Sequence, residues 1–229
     1  MSDAAPTLST ATVIDAVVRL GLPPSGVPAG VRSVARGSIA IGPAAPVTHL
    51  GSVDVFLEVI ADAAPGSVLV VDNGGRGDEA CVGDLITLEA KLAGLAGIVI
   101  WGLHRDTAQL IDIGLPVFSL GSFPRGPIRT PPAAPPMRSA TVAGTTVRPG
   151  DHVVADDDGV VFVPAESWER VSETALAILQ TEQAQATRMT GGRSLREQVG
   201  FADYLAIRAE QPGYSLRDHL RARGGAVET

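Results

Sequence analysis

A single cysteine, Cys81, stands in 229 residues, which excludes an intrachain disulfide framework and fits a reducing compartment. Aromatic residues make up only 4% of the chain, so Val, Ile, Leu and Ala must fill its core. The apolar share of 45% is ample for one compact domain with a peripheral arm. Clustered Lys and Arg are missing, and a formal charge of -7 gives a nucleic-acid backbone little to hold. No apolar run can span a bilayer, because the longest, around Leu92 to Leu103, is short and punctuated by glycine. Near Met1 no basic stretch precedes an apolar run, so a secretory signal is not expected. No Gly-x-Gly-x-x-Gly follows a strand pattern and no phosphate-loop lysine occurs, which leaves nucleotide binding unsupported. The histidines lack ligand spacing, so a zinc site is not expected either. What is left is a cytoplasmic protein with no nucleic-acid or membrane partner.

The apolar pattern predicts alternating elements. Thr10 to Leu20 carries a helical stripe (Val13, Val17, Leu20) that stops at Gly21, with Pro23-Pro24 beyond. Val31 to Ile41 reads as strand ended by Gly42-Pro43, and Val53 to Ala63 as helix. Val68-Leu69-Val70-Val71 is a strand buried on both faces, Asp72 to Gly83 a polar, glycine-rich loop, and Asp84 to about Ala93 a helix. Gly97–Gly102, Asp106–Ile113 and Pro116–Leu120 continue as strand, helix and strand. Such short spacings imply right-handed crossovers and a parallel or mixed sheet. Gly126–Ser139 holds five prolines and reads as an extended surface loop. Val147, His152–Ala155 and Val160–Val163 read as short strands, the last two a hairpin. Ser167 to Arg188 is a long helix bearing Trp168, Val171, Ala175 and Ile178. Capping patterns at Ser194 and Ser215 open helices of a terminal arm.

Ligands of such sheets sit beyond the carboxyl ends of the strands, where Asp72–Gly83 and His104–Asp106 both fall. The helix start at Gly83-Asp84-Leu85-Ile86 offers unpaired N–H groups and partial positive charge to a carboxylate or phosphate. Read locally, Asp84 is a plain N-cap. Arg105 supplies a planar fork for a carboxylate or enolate oxygen, or is a solvated loop arginine. Asp106 suits Mg²⁺ or Mn²⁺, and with Gln109 it also matches a capping box. The loop Asp72–Asp78 has the flexibility to close over a small ligand. Cys81 has no base partner and reads as packing. Asp156-Asp157-Asp158-Gly159 is too short for a calcium loop and reads as a solvated turn.

Val68–Asp72, Gly83-Asp84-Leu85-Ile86, Gly97–Gly102 and Arg105-Asp106 together resemble the RraA-like family, which includes the class II 4-hydroxy-4-methyl-2-oxoglutarate/4-carboxy-4-hydroxy-2-oxoadipate aldolases. Pro149-Gly150-Asp151, Ala155-Asp156, Asp158–Val161 and Pro164 resemble its closing hairpin. The resemblance covers roughly residues 8–190. It implies an α/β fold, a layered α/β/β/α sandwich with a mixed central sheet, in a catalytic domain over 1–190. A helical arm, 191–229, exceeds the minimal family pattern and is expected to pack on a neighbouring subunit. By position, the amides of Gly83, Asp84, Leu85 and Ile86 would hold a pyruvate carboxylate. Arg105 would contact the pyruvyl oxygen, Asp106 would anchor Mg²⁺ or Mn²⁺, and Asp84 would hold water around that metal. The resemblance further implies a homotrimer or hexamer whose neighbouring subunit adds an acidic residue, with Glu173 and Glu182 as candidates. The activity implied is metal-dependent aldol cleavage of a small 2-oxo acid, with oxaloacetate decarboxylation as a second reaction. Family members that regulate a ribonuclease suggest the alternative, a binding module without chemistry.

Overall fold

The structure is a computed structural model that describes residues 7–23, 28–131 and 134–223. Pro24, residues 132–133 of the proline-rich segment and residues 224–229 of the arm lie outside the described residues. In chain order the elements are α1 (Thr10–Arg19), β1 (Arg32–Ser33), β2 (Ala40–Thr48), α2 (Asp54–Asp62), β3 (Val68–Asp72), β4 (Ala80–Val82), α3 (Asp84–Leu92) and β5 (Gly97–Trp101). They continue as β6 (Leu103–His104), α4 (Thr107–Ile113), β7 (Val117–Ser119), β8 (Ala140–Val142), β9 (Thr145–Val147), β10 (His152–Asp156) and β11 (Gly159–Val163). Four helices close the chain: α5 (Trp168–Thr190), α6 (Leu195–Gln198), α7 (Phe201–Glu210) and α8 (Leu216–Ala222).

Seven strands form one mixed sheet in the order β1-β7-β5-β3-β2-β10-β11. Strands β7, β5, β3 and β2 are parallel, while β1, β10 and β11 run antiparallel to their neighbours. The sheet curls until its outermost strands nearly meet. Asp157, in the turn before β11, accepts hydrogen bonds from the Ser33 hydroxyl of β1 (2.7 Å) and from the Gly37 amide (2.9 Å). The Asp156 carboxylate is likewise occupied, by the amide and hydroxyl of Thr10 at the start of α1 (2.8 and 2.7 Å). The acidic turn therefore fastens the fold.

Strand periodicity sends alternate residues to opposite faces. Val68, Val70, Val99, Phe118, Val153 and Phe162 meet between the two halves of the curled sheet. Leu69, Val71, Ile98 and Ile100 point outward into a second core with Phe56, Ile86 and Leu110 of α2, α3 and α4. On the far side, α1 and α5 bring Val13, Val17, Val171 and Ile178 onto Val154, Val161 and Val163. This is the helix, sheet, sheet, helix layering.

Two sequence expectations fail here for physical reasons. Gly42-Pro43 does not end a strand, because β2 runs from Ala40 through Thr48 and includes Pro43 and Pro46. The Ala44 amide donates toward the β10 side, to Asp151, whereas the His49 amide donates toward β3, to Asp72. Pro43 thus lacks its N–H on the β3 side, before that ladder begins at Ala44, and Pro46 lacks its N–H on the β10 side, after that ladder has ended at Pro43. Neither proline removes a ladder bond. The loop Asp72–Asp78 is not free to close either: the Asn73 and Gly75 amides both donate to the Trp101 carbonyl (3.0 and 3.1 Å), and Arg76 pairs with Asp78 and Glu79.

The arm forms a small cluster at the end of α5. Tyr204 and Leu220 are buried in it beside Tyr214 and His219, and none of the three main cores includes an arm residue. Its exposed Arg223–Asp203 pair contributes less than about 1 kcal/mol. Burying a side chain such as Leu220 contributes about 2 kcal/mol. Apolar contact holds the arm together.

Candidate functional site

The polar stretch before Gly83 and the loop before Arg105 each hide a short strand, β4 and β6. These pair in parallel apart from the main sheet, with Val82 opposite His104. The register makes Gly83 and Arg105 neighbours, and the Arg105 amide donates to the Val82 carbonyl (3.0 Å). β4 is apolar and buried throughout, which anchors the ladder to the helix-side core.

From that base the two helix starts converge. Gly83 is the N-cap of α3, so Asp84 is its first helical residue, not the cap expected from sequence. The Asp84 carboxylate accepts from the Leu85 amide (2.8 Å). Asp106 is the N-cap of α4 but makes no side-chain capping bond, so the Asp106–Gln109 capping box is absent. Its backbone is left-handed (φ 60°, ψ 41°), and this turns the carboxylate away from its own helix. Asp106 Oδ2 instead lies 3.4 Å from the Asp84 amide and 3.3 Å from Arg105 Nε. A Cβ added at Gly83 would collide with Asp106 Oδ2 and stand 3.1 Å from Arg105 Cγ and Nε. The glycine is needed for this close approach.

Gly83, Asp84, Leu85, Ile86 and Arg105 line a cleft of about 500 Å³ between α2 and α3. A smaller polar hollow of about 300 Å³, lined by Arg105, Asp106, Thr107, Ser122, Phe123 and Pro124, opens on the other side of the arginine. All six residues singled out at Gly83–Ile86 and Arg105-Asp106 are therefore brought together around one guanidinium. Glu173 and Glu182 are not among them; they are exposed on α5, whose buried face packs with α1 on β11.

Sequence reasoning missed the supports of this site. His104 is buried, with Nδ1 2.7 Å from the Ser119 hydroxyl and Nε2 3.0 Å from the Thr107 hydroxyl. The Ser119 hydroxyl also lies 3.2 Å from the Gly121 carbonyl and accepts from the Gly121 amide (3.2 Å). The ring thus ties the residues flanking Arg105 and Asp106 to β7, and burial lowers its pKa. A second support comes from the proline-rich segment: Arg129 pairs with buried Glu79, just before β4, and donates to Asn73 Oδ1 (3.1 Å). Asn73 Oδ1 also meets His49 Nδ1 at 2.9 Å. Glu79 within the acidic loop was the available signal, but nothing in sequence pairs it with an arginine fifty residues on. Cys81, also in the cleft lining, is buried and its thiol is pushed up to about 12 by that burial, so it is packing and not a nucleophile.

Oxygen donors suit a hard divalent ion, which commonly takes only one or two protein carboxylates and completes its shell with water and substrate. Among the described residues no group of three or more His, Cys, Asp or Glu is gathered for a metal. Asp106, with Asp84 beside it, fits the sparse kind of site. Both protein contacts of Asp106 Oδ2 are long, 3.4 Å to the Asp84 amide and 3.3 Å to Arg105 Nε, so the carboxylate keeps donor capacity for an ion.

Residues 10–162 match the RraA-like family, described as Aldolase/RraA. The chain is 28% identical to protein DlpA of Legionella pneumophila over 82% of its own length and 31% of that protein's. It is 41% identical to a Deinococcus radiodurans protein provisionally named a 4-hydroxy-4-methyl-2-oxoglutarate aldolase, over 44% of this chain and 63% of that one. It thus spans less than two thirds of either relative. Among solved structures, Streptomyces coelicolor RraAS2, described as an unusual member of the RNase ES inhibitor RraA family, superposes with a TM-score of 0.69 at 30% identity, covering 79% of this chain and 93% of that one.

Proposed function

The chain belongs to the RraA-like (Aldolase/RraA) family, and on that premise we propose that it is a divalent-metal-dependent lyase cleaving a small 4-hydroxy-2-oxo acid to pyruvate. The observation that carries this reading is the convergence of the Gly83-Asp84 helix start, Arg105 and Asp106 over the β4–β6 ladder. In this reading the first-turn N–H groups of α3 hold the substrate carboxylate, aided by the positive end of the helix. Arg105, with its side chain 47% exposed, is open to the 2-oxo group from the cleft. Asp106 would hold Mg²⁺ or Mn²⁺, with Asp84 beside it. When bound, that ion supplies Lewis acidity to the 2-oxo acid.

Cleavage breaks the C3–C4 bond. Its electron pair passes to the C2 oxygen as an enolate, the C4 hydroxyl proton leaves to a base, and C4 becomes a carbonyl. Arg105 stabilises the charge that develops on the C2 oxygen, an effect worth about 3 kcal/mol in comparable sites. Protonation at C3 then gives pyruvate. Loss of carbon dioxide from oxaloacetate would form the same enolate and make the same demand on Arg105. The neighbouring acid fits a homotrimer or hexamer: Glu173 and Glu182 are remote from their own cleft and would reach a site only from another copy.

Pyruvate release, followed with a coupled dehydrogenase, should require Mg²⁺ or Mn²⁺ and disappear in Arg105→Ala and Asp106→Ala. The similarity to RraAS2 favours one other reading, a regulator that binds a ribonuclease without chemistry. Metal-replete protein that is inert on 4-hydroxy-2-oxo acids and oxaloacetate, yet retains a ribonuclease in a pull-down, would replace the lyase reading with that one.

A further inference from the structure

Beyond Arg105 the cleft changes character. Val53, at the N-cap of α2, and Leu57 of α2 face Leu85, Leu88 and Leu92 of α3 across it, with Ile86 below. The three leucines recur at helical spacing on one face, a stripe about 10 Å long. Leu85 and Leu92 are each 76% exposed, and Val53, Leu57 and Leu88 are between 41% and 46% exposed. A contiguous exposed apolar surface of this kind marks a binding site more often than a solvated face. It begins at the residues assigned to the pyruvate carboxylate, and about 500 Å³ is far more than a three-carbon acid fills.

Charge narrows the occupant. Arg105 is the one basic residue of the lining, and Asp84 and Glu89 are its acids. The nearby guanidiniums are engaged elsewhere: Arg129 with Glu79 and Asn73, Arg76 with Asp78 and Glu79, Arg125 with the Asp78 carbonyl and the Phe123 ring. The compound in the name of the Deinococcus relative, 4-hydroxy-4-methyl-2-oxoglutarate, bears a carboxylate at each end. Its second carboxylate would lie among leucines, near Glu89 and without a cation from its own chain, which desolvation and like charge both oppose.

Resting on the lyase reading above, we propose that the substrate is a 4-hydroxy-2-oxo monocarboxylic acid with an apolar group at C4, cleaved to pyruvate and an apolar aldehyde or ketone. The test uses the full-length protein with Mn²⁺. Deuterium exchange into the pyruvate methyl group, read by NMR, reports on the pyruvate half alone. Matched 4-hydroxy-2-oxo acids of equal length, one ending in alkyl and one in carboxylate, report on the distal half. The expected result is exchange together with a kcat/KM about tenfold or more higher for the alkyl substrate. Leu88→Arg, at an exposed position, should narrow or invert that ratio. Exchange with equal or better turnover of the carboxylate-ended substrate overturns the proposal and leaves the lyase reading standing. No exchange and no cleavage of either substrate overturns both. If Leu88→Arg and Leu92→Arg change the particle mass and leave the ratio unmoved, the stripe is a contact between copies and the proposal fails.

Discussion

Gly83 has an ordinary extended backbone (φ -135°, ψ -162°), so only space forbids a side chain there. Gly83→Ala should fold with an unchanged melting point yet lose about 10²-fold in kcat, because the methyl group displaces Asp106 and Arg105 from their common point. Comparing circular dichroism with pyruvate release separates the two effects. Asp106 offers a different partition. An L-residue other than Gly, Asn or Asp held left-handed costs roughly 1–2 kcal/mol. Asp106→Ala and Asp106→Gly should be equally inactive, with the glycine variant more stable by about 1 kcal/mol in urea unfolding. Both positions were visible in the sequence as site residues, but the cap reading put Asp84 where Gly83 stands and gave Asp106 a capping box that it does not form. Helix-start chemistry is local and readable, whereas the rotation that aims Asp106 back at Asp84 depends on a left-handed turn that no spacing announces.

At the level of elements, the long apolar pieces were legible because burial on both faces writes itself into runs such as Val68–Val71 and Ile98–Ile100. Strands β4 and β6 were not, since three residues and two residues carry no period. Yet this ladder, more than the main sheet, sets Gly83 beside Arg105. Its upstream anchor is the Arg129–Glu79 pair. Arg129→Ala leaves a buried carboxylate without its main partner and should cost about 2 kcal/mol in urea unfolding. Burial alone would raise the Glu79 pKa, but Arg129 and Arg76 outweigh it and hold the group below its ordinary 4.5. The stability that Glu79 contributes is therefore full above pH 4.5 and is lost as pH falls through the lowered value. Glu79→Gln should show a lower plateau and a flatter acid limb in thermal melts.

Across the whole molecule, His49, His104 and His152 share one electrostatic situation, each with its pKa lowered chiefly by burial. Each takes up a proton less readily when folded than when unfolded. Their joint contribution is fully present above pH 6.5 and declines as the pH drops below it. Melting temperature should fall between pH 6.5 and 5, and substitution of all three should flatten that slope. The arm raises a separate question of assembly. Its cluster around Tyr204 and Leu220 is self-contained, while Leu195 and Leu205 remain 37% and 40% exposed. We expect it to pack on a neighbouring copy, so deleting 191–229 should reduce the number of copies per particle; an intact oligomer would refute that. Helices α6 and α8 of the arm were legible from their capping boxes at Ser194 and Ser215, whereas α7, opened by Gly200 without a side-chain cap, was not. Their partners were not, because amphipathic faces state that something is covered and not what covers it.

The curled sheet is fastened at its seam by Asp157, reaching from the β10–β11 turn to Ser33 and Gly37. Those hydrogen bonds hold its carboxyl below the ordinary 3.8, so the latch is lost as the pH falls through that lowered value. When it opens, β1 and β11 become two unguarded strand edges, and an unguarded edge is a template for another chain. Acid treatment would then lead to intermolecular sheet, with turbidity and thioflavin binding appearing before the cores dissolve. In Asp157→Ala the same self-association should begin nearer neutrality, which makes this residue a guard against aggregation.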